Sequence, residues 1–219
     1  WILETGADVA ELADLRAPWP NYGVVRWVMA SKEDSPFASV TDLRGRQIAT
    51  EAVGMTKRFL AEHGVDANVE FSWGATEVKP PILADAIVDV SETGSSLRAN
   101  KLRVMHVVLE STPRFIANHA SLADAWKQAK IERVLMLLKG AIAAATRVLL
   151  SMNVPRGQVP AVLEILPALA TPTVSTLSDA EWVELSTVVA EKQVRELIPR
   201  LHAAGARGII ELPISKIIE

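Results

Sequence analysis

The sequence predicts an α/β protein whose last third forms a second, smaller α/β unit. Short runs rich in β-branched residues alternate with helix-like runs through residues 24–110. A long helical stretch follows at 123–145, and after it the order of elements becomes βαββαβ. A chain of 219 residues with 49% apolar composition can bury a substantial core in such an arrangement.

Five strand candidates and two helix candidates support the first part of this prediction. The segment 54–64 has apolar residues at helical spacing and ends in glycine, and 96–102 can form a short helix. Because helices separate some of the strands, we expect parallel strands covered by helices. The strand candidates are 24–30, 46–50, 69–73, 85–90 and 102–110.

The C-terminal elements predict a ferredoxin-like unit, in which two helices cover one face of an antiparallel sheet. The order βαββαβ, within 146–219, is the pattern of that unit, and the length suits a small independent domain. Its predicted elements are strand 146–154, helix 158–166, strands 171–177 and 181–189, helix 191–205 and strand 207–215.

Composition restricts the classes of ligand and compartment. A net charge of −3 and a pI of about 5.9 give no general attraction to nucleic acid, so we expect a small ligand held by local groups. No run approaches the roughly 18 apolar residues that a membrane span requires, and no signal peptide is evident, so we expect a soluble, cytoplasmic protein. Cysteine is absent and the histidines share no metal-ligand spacing, so we assign no metal-ligating residue.

The stretch DVSETGSSLRAN, at 89–100, is the strongest candidate for a ligand site. It follows an apolar strand, and the carboxyl end of a parallel strand brings the N–H groups of the next helix to the ligand crevice. Gly94 allows an anion to approach the backbone, and Asp89 can accept hydrogen bonds from sugar hydroxyls. Hydroxyl donors flank the glycine at Thr93, Ser95 and Ser96. The same residues also suit an ordinary helix cap, so the stretch alone leaves both interpretations open.

Three segments and the C-terminal pattern together resemble the long form of the ATP phosphoribosyltransferase family. The segments are 46–64, 71–80 and 77–102, and the acidic-apolar strand and TGSSL loop occur in the family's order. The resemblance covers essentially the whole chain. It implies a two-lobed catalytic region of the type II periplasmic-binding-protein-like fold, followed by a regulatory domain. The bounds we predict are 1–27 and 101–145 for lobe I, 28–100 for lobe II, and 146–219 for the regulatory domain.

The resemblance also implies a reaction and its ligands. Family members condense ATP with phosphoribosyl pyrophosphate, using Mg²⁺, and are inhibited by histidine bound through the C-terminal domain.

By the same resemblance, Asp89 would contact the ribose hydroxyls of the donor. The residues that would wrap its 5-phosphate are Glu92, Thr93, Gly94, Ser95, Ser96 and Leu97. The family forms homo-oligomers, dimers or hexamers, for which the apolar helix at 131–145 could supply a surface.

Other polar positions near the predicted crevice carry weaker expectations. Lys79 could supply charge in a second anion-facing turn with Glu77 orienting it, although a solvated helix start explains this segment equally well. Thr50 ends its strand and is expected to face the same crevice. For Arg26 we favour a salt bridge at a strand edge over a functional role.

One departure from the family and one rival function remain. The family's N-terminal segment, with its first strands and a basic phosphate-contacting motif, has no counterpart before Trp1, so we expect this polypeptide alone to have weak or no transferase activity. The rival function is a non-catalytic module that binds histidine or another solute.

Overall fold

The computed structural model describes residues 1–19, 22–167 and 171–218. These residues fall into two compact units, Trp1–Gln128 and Ala129–Glu219. Each unit buries its own cluster of apolar side chains. None of the described helices has the length and apolar character needed to cross a membrane.

The first unit contains a mixed five-stranded sheet and a small two-stranded sheet. Its elements are α1 (Ile2–Thr5), β1 (Ala10–Asp14), β2 (Val25–Lys32), β3 (Gln47–Thr50), α2 (Val53–Glu62), β4 (Asn68–Phe71), β5 (Ala86–Ser91), α3 (Ser95–Ala99), β6 (Leu102–Ser111), β7 (Arg114–Ala117) and α4 (His119–Ala123). The boundary between the units falls inside α5 (Ala125–Ala144).

The five-stranded sheet has the order β4-β3-β5-β2-β6. Strands β4 and β5 are parallel to β3, as predicted, but β2 lies antiparallel to both β5 and β6. The expectation of parallel strands is therefore wrong for β2, which runs against the other four strands of this sheet. Alternation along the chain fixes which segments are strands, but it does not fix their order, and β2 lies between two strands that come much later in sequence.

Side-chain alternation along these strands creates two buried faces. On one face, Trp27 and Met29 of β2 pack with Phe59 of α2. On the other face, Val28 of the same strand packs with Leu97 of α3. Because successive strand residues point to opposite sides, these contacts assign a face to every residue of β2 and of its partner β5.

The second unit is a four-stranded sheet of order β11-β8-β10-β9, in which every pairing is antiparallel. Its further elements are β8 (Arg147–Pro155), α6 (Val159–Ile165), β9 (Thr173–Thr176), β10 (Trp182–Ala190), α7 (Val194–Ala203) and β11 (Arg207–Pro213). Leu150, Leu185 and Leu201 are fully buried in its core. The predicted α/β class and the ferredoxin-like βαββαβ unit are confirmed.

The bounds of the two catalytic lobes stay a prediction. Strand β6 falls in the range predicted for lobe I, but it is hydrogen-bonded to β2, most of which falls in the range predicted for lobe II.

Helix α1 is joined to the N-terminus of α2 by a carboxylate. The Glu4 side chain accepts hydrogen bonds from the N–H groups of Gly54 at 2.8 Å and Met55 at 2.6 Å. Arg58 donates in return to the carbonyl of Leu3. A β-carbon at position 54 would lie 3.1 Å from the Glu4 carbonyl oxygen and 3.2 and 3.3 Å from its carboxylate oxygens. The close approach of Glu4 therefore explains a glycine in the first turn of α2.

We expect Gly54→Ala to destabilise the protein by about 1 kcal/mol, the usual value of a helix N-terminal cap. Helix propensity alone predicts the opposite sign, since alanine is better than glycine inside a helix by about 1 kcal/mol. The measurement is urea unfolding of the single variants and of a Glu4→Ala, Gly54→Ala double variant. In the Glu4→Ala background the loss should be smaller, because the two carboxylate contacts are gone while the contact with the backbone carbonyl of residue 4 remains. Additive effects of the two changes would contradict this explanation of the glycine.

Candidate functional site

The carboxyl ends of the three parallel strands β3, β4 and β5 meet at one edge of the sheet. We call this edge, with the segments that follow the strands, the carboxyl edge; it comprises residues 50–51, 72–79 and 89–97. In open α/β sheets, ligands bind outside the carboxyl ends of the strands. The structure thus brings together three segments that are separated in sequence.

Asp89 lies on β5, is half-buried, and forms a pair with Val28 of β2 across the sheet. Burial raises the pKa of Asp89 above its ordinary value of 3.8, and the nearby carboxylates Glu77 and Glu51 raise that pKa further. The Val90 N–H, 2.8 Å from Oδ1, acts in the opposite direction. The carboxylate is therefore placed where a hydrogen-bond donor or a cation would stabilise its charged form.

The glycine loop after β5 has the left-handed turn that the sequence suggested. Gly94 has φ +73° and precedes the first residue of α3. The Gly94 N–H is not available to a ligand, because it donates a hydrogen bond to Ser91 Oγ at 3.0 Å. Among the described residues, the N–H groups of Ser96 and Leu97 have no acceptor. An anion at the start of α3 would find open amides at these two positions.

Two further contacts fix the shape of the loop. The Thr93 hydroxyl donates to Ser95 Oγ at 3.0 Å. Arg98 Nη1 donates to the Thr93 carbonyl at 3.0 Å, which ties α3 back to the residue before the glycine. A β-carbon at Gly94 would lie 3.0 Å from the same Nη1, so the glycine serves both the backbone angle and the approach of Arg98.

The 72–79 segment is built around hydroxyl groups. Ser72 Oγ and Thr76 Oγ1 lie 2.9 Å apart, and Lys79 Nζ donates to Ser72 Oγ. Glu77 and Lys79 form no ion pair in the part of the chain that the structure describes. Ser72 therefore orients the lysine, and the orienting role predicted for Glu77 is not found. Glu77 acts instead on Asp89, as a nearby like charge.

Thr50 is placed differently from the expectation. Its side chain is fully buried, and its hydroxyl accepts a hydrogen bond from the Ala52 N–H at 3.0 Å, where β3 turns into α2. The side chain therefore shapes this turn and does not reach the crevice. Glu51, the next residue, is half-buried and close enough to Asp89 to influence its charge.

Two serines that organise the site, Ser72 and Ser91, were not predicted from the sequence. Both stand at strand ends, where a hydroxyl can satisfy the loop that follows, but serine is common at such positions and gives a weak signal. Arg26 is also placed differently from the expectation. Within the described ranges it makes no salt bridge.

At this edge, the side chains of the described residues do not by themselves form a metal site. The described residues contain no group of three or more His, Asp or Glu side chains arranged to hold a metal ion. Two of the histidines have other partners: His63 Nδ1 lies 2.8 Å from the Phe59 carbonyl, and His119 Nε2 lies 3.1 Å from Asp8 Oδ1.

Two family models match this chain. One, described as ATP phosphoribosyltransferase, matches residues 1–140, and one described as the HisG C-terminal domain matches residues 144–216. An ATP phosphoribosyltransferase of Chlorobium chlorochromatii is 56% identical over 219 residues, which are 100% of this chain and 74% of that protein. The enzyme of that name from Thermodesulfovibrio yellowstonii is 52% identical over 218 residues, with coverage of 100% and 75%.

A solved structure shares the fold. The ATP phosphoribosyl transferase (HisG:HisZ) complex from Thermotoga maritima aligns with a TM-score of 0.54 at 23% identity. The alignment covers 63% of this chain and 64% of that one.

Proposed function

This chain belongs to the ATP phosphoribosyltransferase family, and we propose that its carboxyl edge binds the phosphoribosyl pyrophosphate that the reaction consumes. The family's enzymes are pentosyltransferases that condense ATP with this donor to give phosphoribosyl-ATP and pyrophosphate. The reaction is the first step of histidine biosynthesis. The observation that carries the proposal is the juxtaposition of a half-buried carboxylate, Asp89, with the open amides of Ser96 and Leu97.

Each group has a role that its chemistry supports. Asp89 accepts hydrogen bonds from the ribose hydroxyls, which also relieves its repulsion from Glu51 and Glu77. The 5-phosphate lies against residues 92–97, where it accepts from the Ser96 and Leu97 N–H groups and from nearby hydroxyls. Lys79, held by Ser72, adds positive charge at the neighbouring segment.

Catalysis at this site depends on positioning rather than on a covalent intermediate with the protein. In the proposed reaction N1 of adenine displaces pyrophosphate at the anomeric carbon of the ribose, through a transition state with oxocarbenium character. Holding both substrates in line for this displacement can supply a large share of the barrier reduction. Asp89 also places negative charge beside the ring on which positive charge develops.

Mg²⁺ fits this edge as an ion shared with the substrate. It usually binds one or two protein carboxylates together with water and substrate phosphates, and demands no all-protein cage. Asp89, Glu51 and Glu77 are the candidate carboxylates, since their charges already act on one another. When bound, the ion would supply charge stabilisation for the departing pyrophosphate.

Histidine regulation and homo-oligomer formation are further parts of the proposed function. We assign feedback inhibition by histidine to the ferredoxin-like unit, on the basis of the match to the HisG C-terminal domain. Homo-oligomer formation, as a dimer or hexamer, is supported by exposed apolar side chains on α5, where Met136 and Leu137 are 48% and 51% exposed. We place the enzyme in the cytoplasm, where histidine biosynthesis would take place.

Isothermal titration with phosphoribosyl pyrophosphate and Mg²⁺, and separately with histidine, tests the proposal. The donor should bind, and Asp89→Ala should abolish that binding while leaving histidine binding intact. Histidine binding without any donor binding would instead support the rival function, a solute sensor.

A further inference from the structure

The proposed donor brings an anionic 5-phosphate to the glycine loop, where the open amides are neutral donors. Charged donors form stronger hydrogen bonds with phosphate than neutral donors do. Of the cations already described at this edge, Lys79 donates to Ser72 in the neighbouring segment, and Arg98 donates to the Thr93 carbonyl. A guanidinium beside the glycine loop would add a charged contact for a phosphate dianion bound there.

Arg26 lies next to that loop in the sheet. Its Cα is paired with that of Ser91 in β5 and, on the other side, with that of Glu110 in β6. Ser91 is the residue whose hydroxyl accepts the Gly94 N–H. Neighbouring strands are separated by about 4.8 Å, a distance that an arginine side chain easily spans.

The face on which Arg26 lies follows from strand alternation. Trp27 belongs to the core beneath α2, and Val28 belongs to the core beneath α3. Arg26, two residues before Val28, therefore lies on the α3 side. Asp89 is directly paired with Val28 and lies on that side too, as does Ser91. Arg26, Asp89 and the start of the glycine loop thus share one face of the sheet.

Among the residues that the structure describes, no carboxylate forms an ion pair with the Arg26 guanidinium. The salt bridge that the sequence favoured does not form with any carboxylate in the described ranges, and the side chain is exposed. Glu110, its cross-strand neighbour, is the natural partner for a purely structural role. Arginine also presents a planar array of donors that matches phosphate geometry.

We infer that Arg26 is a substrate-binding residue whose guanidinium binds the 5-phosphate of the donor at the glycine loop. This inference rests on the proposed function, because it names a further contact for the same substrate. It assigns the phosphate one charged contact from β2, in addition to the amides of α3.

The test compares three ligands by isothermal titration: phosphoribosyl pyrophosphate with Mg²⁺, ribose 5-phosphate, and inorganic pyrophosphate. Arg26→Gln should weaken the first two about 10- to 100-fold, the usual effect of removing a charged hydrogen bond, and should leave pyrophosphate binding unchanged. Arg26→Lys should restore part of the affinity. Arg195→Gln, the same charge change at an exposed position of α7, is the matched control and should have no effect.

The outcomes separate this inference from the proposed function. If the unmodified protein binds no phosphoribosyl pyrophosphate, the proposed function itself fails. If it binds the donor, and Arg26→Gln binds ribose 5-phosphate with unchanged affinity, only the inference is overturned. A loss confined to pyrophosphate would also overturn it, because the guanidinium would then bind the other end of the donor. Equal melting temperatures of the variant and the unmodified protein would exclude a structural cause for any loss.

Discussion

Asp89→Asn is expected to lose donor binding and at the same time to raise the free energy of unfolding at neutral pH. The amide keeps the shape of the side chain but removes the charge that accepts hydrogen bonds from ribose hydroxyls, so donor affinity should fall about 100-fold or more. Stability should rise because burial and the nearby Glu77 and Glu51 raise the pKa of Asp89, so its ionised form is disfavoured in the folded protein.

The pH dependence of this stability difference has a definite sign. A pKa of Asp89 raised above 3.8 on folding means that the folded state binds the proton more tightly than the unfolded state. The resulting stability is complete below 3.8 and is lost as the pH rises through the folded pKa. The advantage of Asp89→Asn should therefore be largest near pH 7 and should shrink as the pH falls toward 3.8.

Urea unfolding of both proteins at several pH values measures this difference. Asp66→Asn, at an exposed position, is the control and should change neither stability nor binding. An Asp89→Asn protein that is less stable at pH 7, or that binds the donor normally, would contradict the roles given to this carboxylate.

Gly94→Ala is the second change with a large expected effect. Alanine at φ +73° costs about 1 kcal/mol of stability. In addition, its β-carbon would lie 3.0 Å from Arg98 Nη1, so this guanidinium must shift by a few tenths of an ångström. The shift weakens the hydrogen bond to the Thr93 carbonyl that fixes the shape of the loop, and we expect donor affinity to fall about 10-fold.

A matched glycine separates the two effects of this substitution. Gly45 has φ +69°, and a β-carbon there would meet no atom within 4 Å. Gly45→Ala should therefore show a similar loss of stability, measured by urea unfolding, with donor affinity unchanged in the titration. Equal donor affinity in Gly94→Ala and Gly45→Ala would show that the shape of the glycine loop is irrelevant to binding.

The predictions made from the sequence agree with the structure where a feature depends on residues that are close together in the chain. Strand β3 was predicted at 46–50 and spans Gln47–Thr50, and the predicted order of elements in the second unit is the observed one. The glycine loop could also be predicted, because a short polar run with one glycine follows an apolar strand. These features depend on residues that are close together in the chain.

The features that the sequence did not predict depend on pairing between distant segments. The antiparallel pairing of β2 places Arg26 beside Ser91, although 65 positions separate them, and no local pattern indicates that neighbour. The cap that Glu4 supplies to α2 is likewise a contact across 50 positions. Lys79 was expected to pair with an acid, but a serine seven residues away binds it instead.

The central claim is that open amides at the start of α3 hold the donor's 5-phosphate. Nuclear magnetic resonance of the ¹⁵N-labelled protein, titrated with ribose 5-phosphate, tests it most directly. We predict that the largest downfield shifts of amide protons occur at Ser96 and Leu97, with smaller changes at Gly94, whose N–H stays bound to Ser91. Saturable binding that leaves the resonances of residues 92–97 unchanged would contradict the claim.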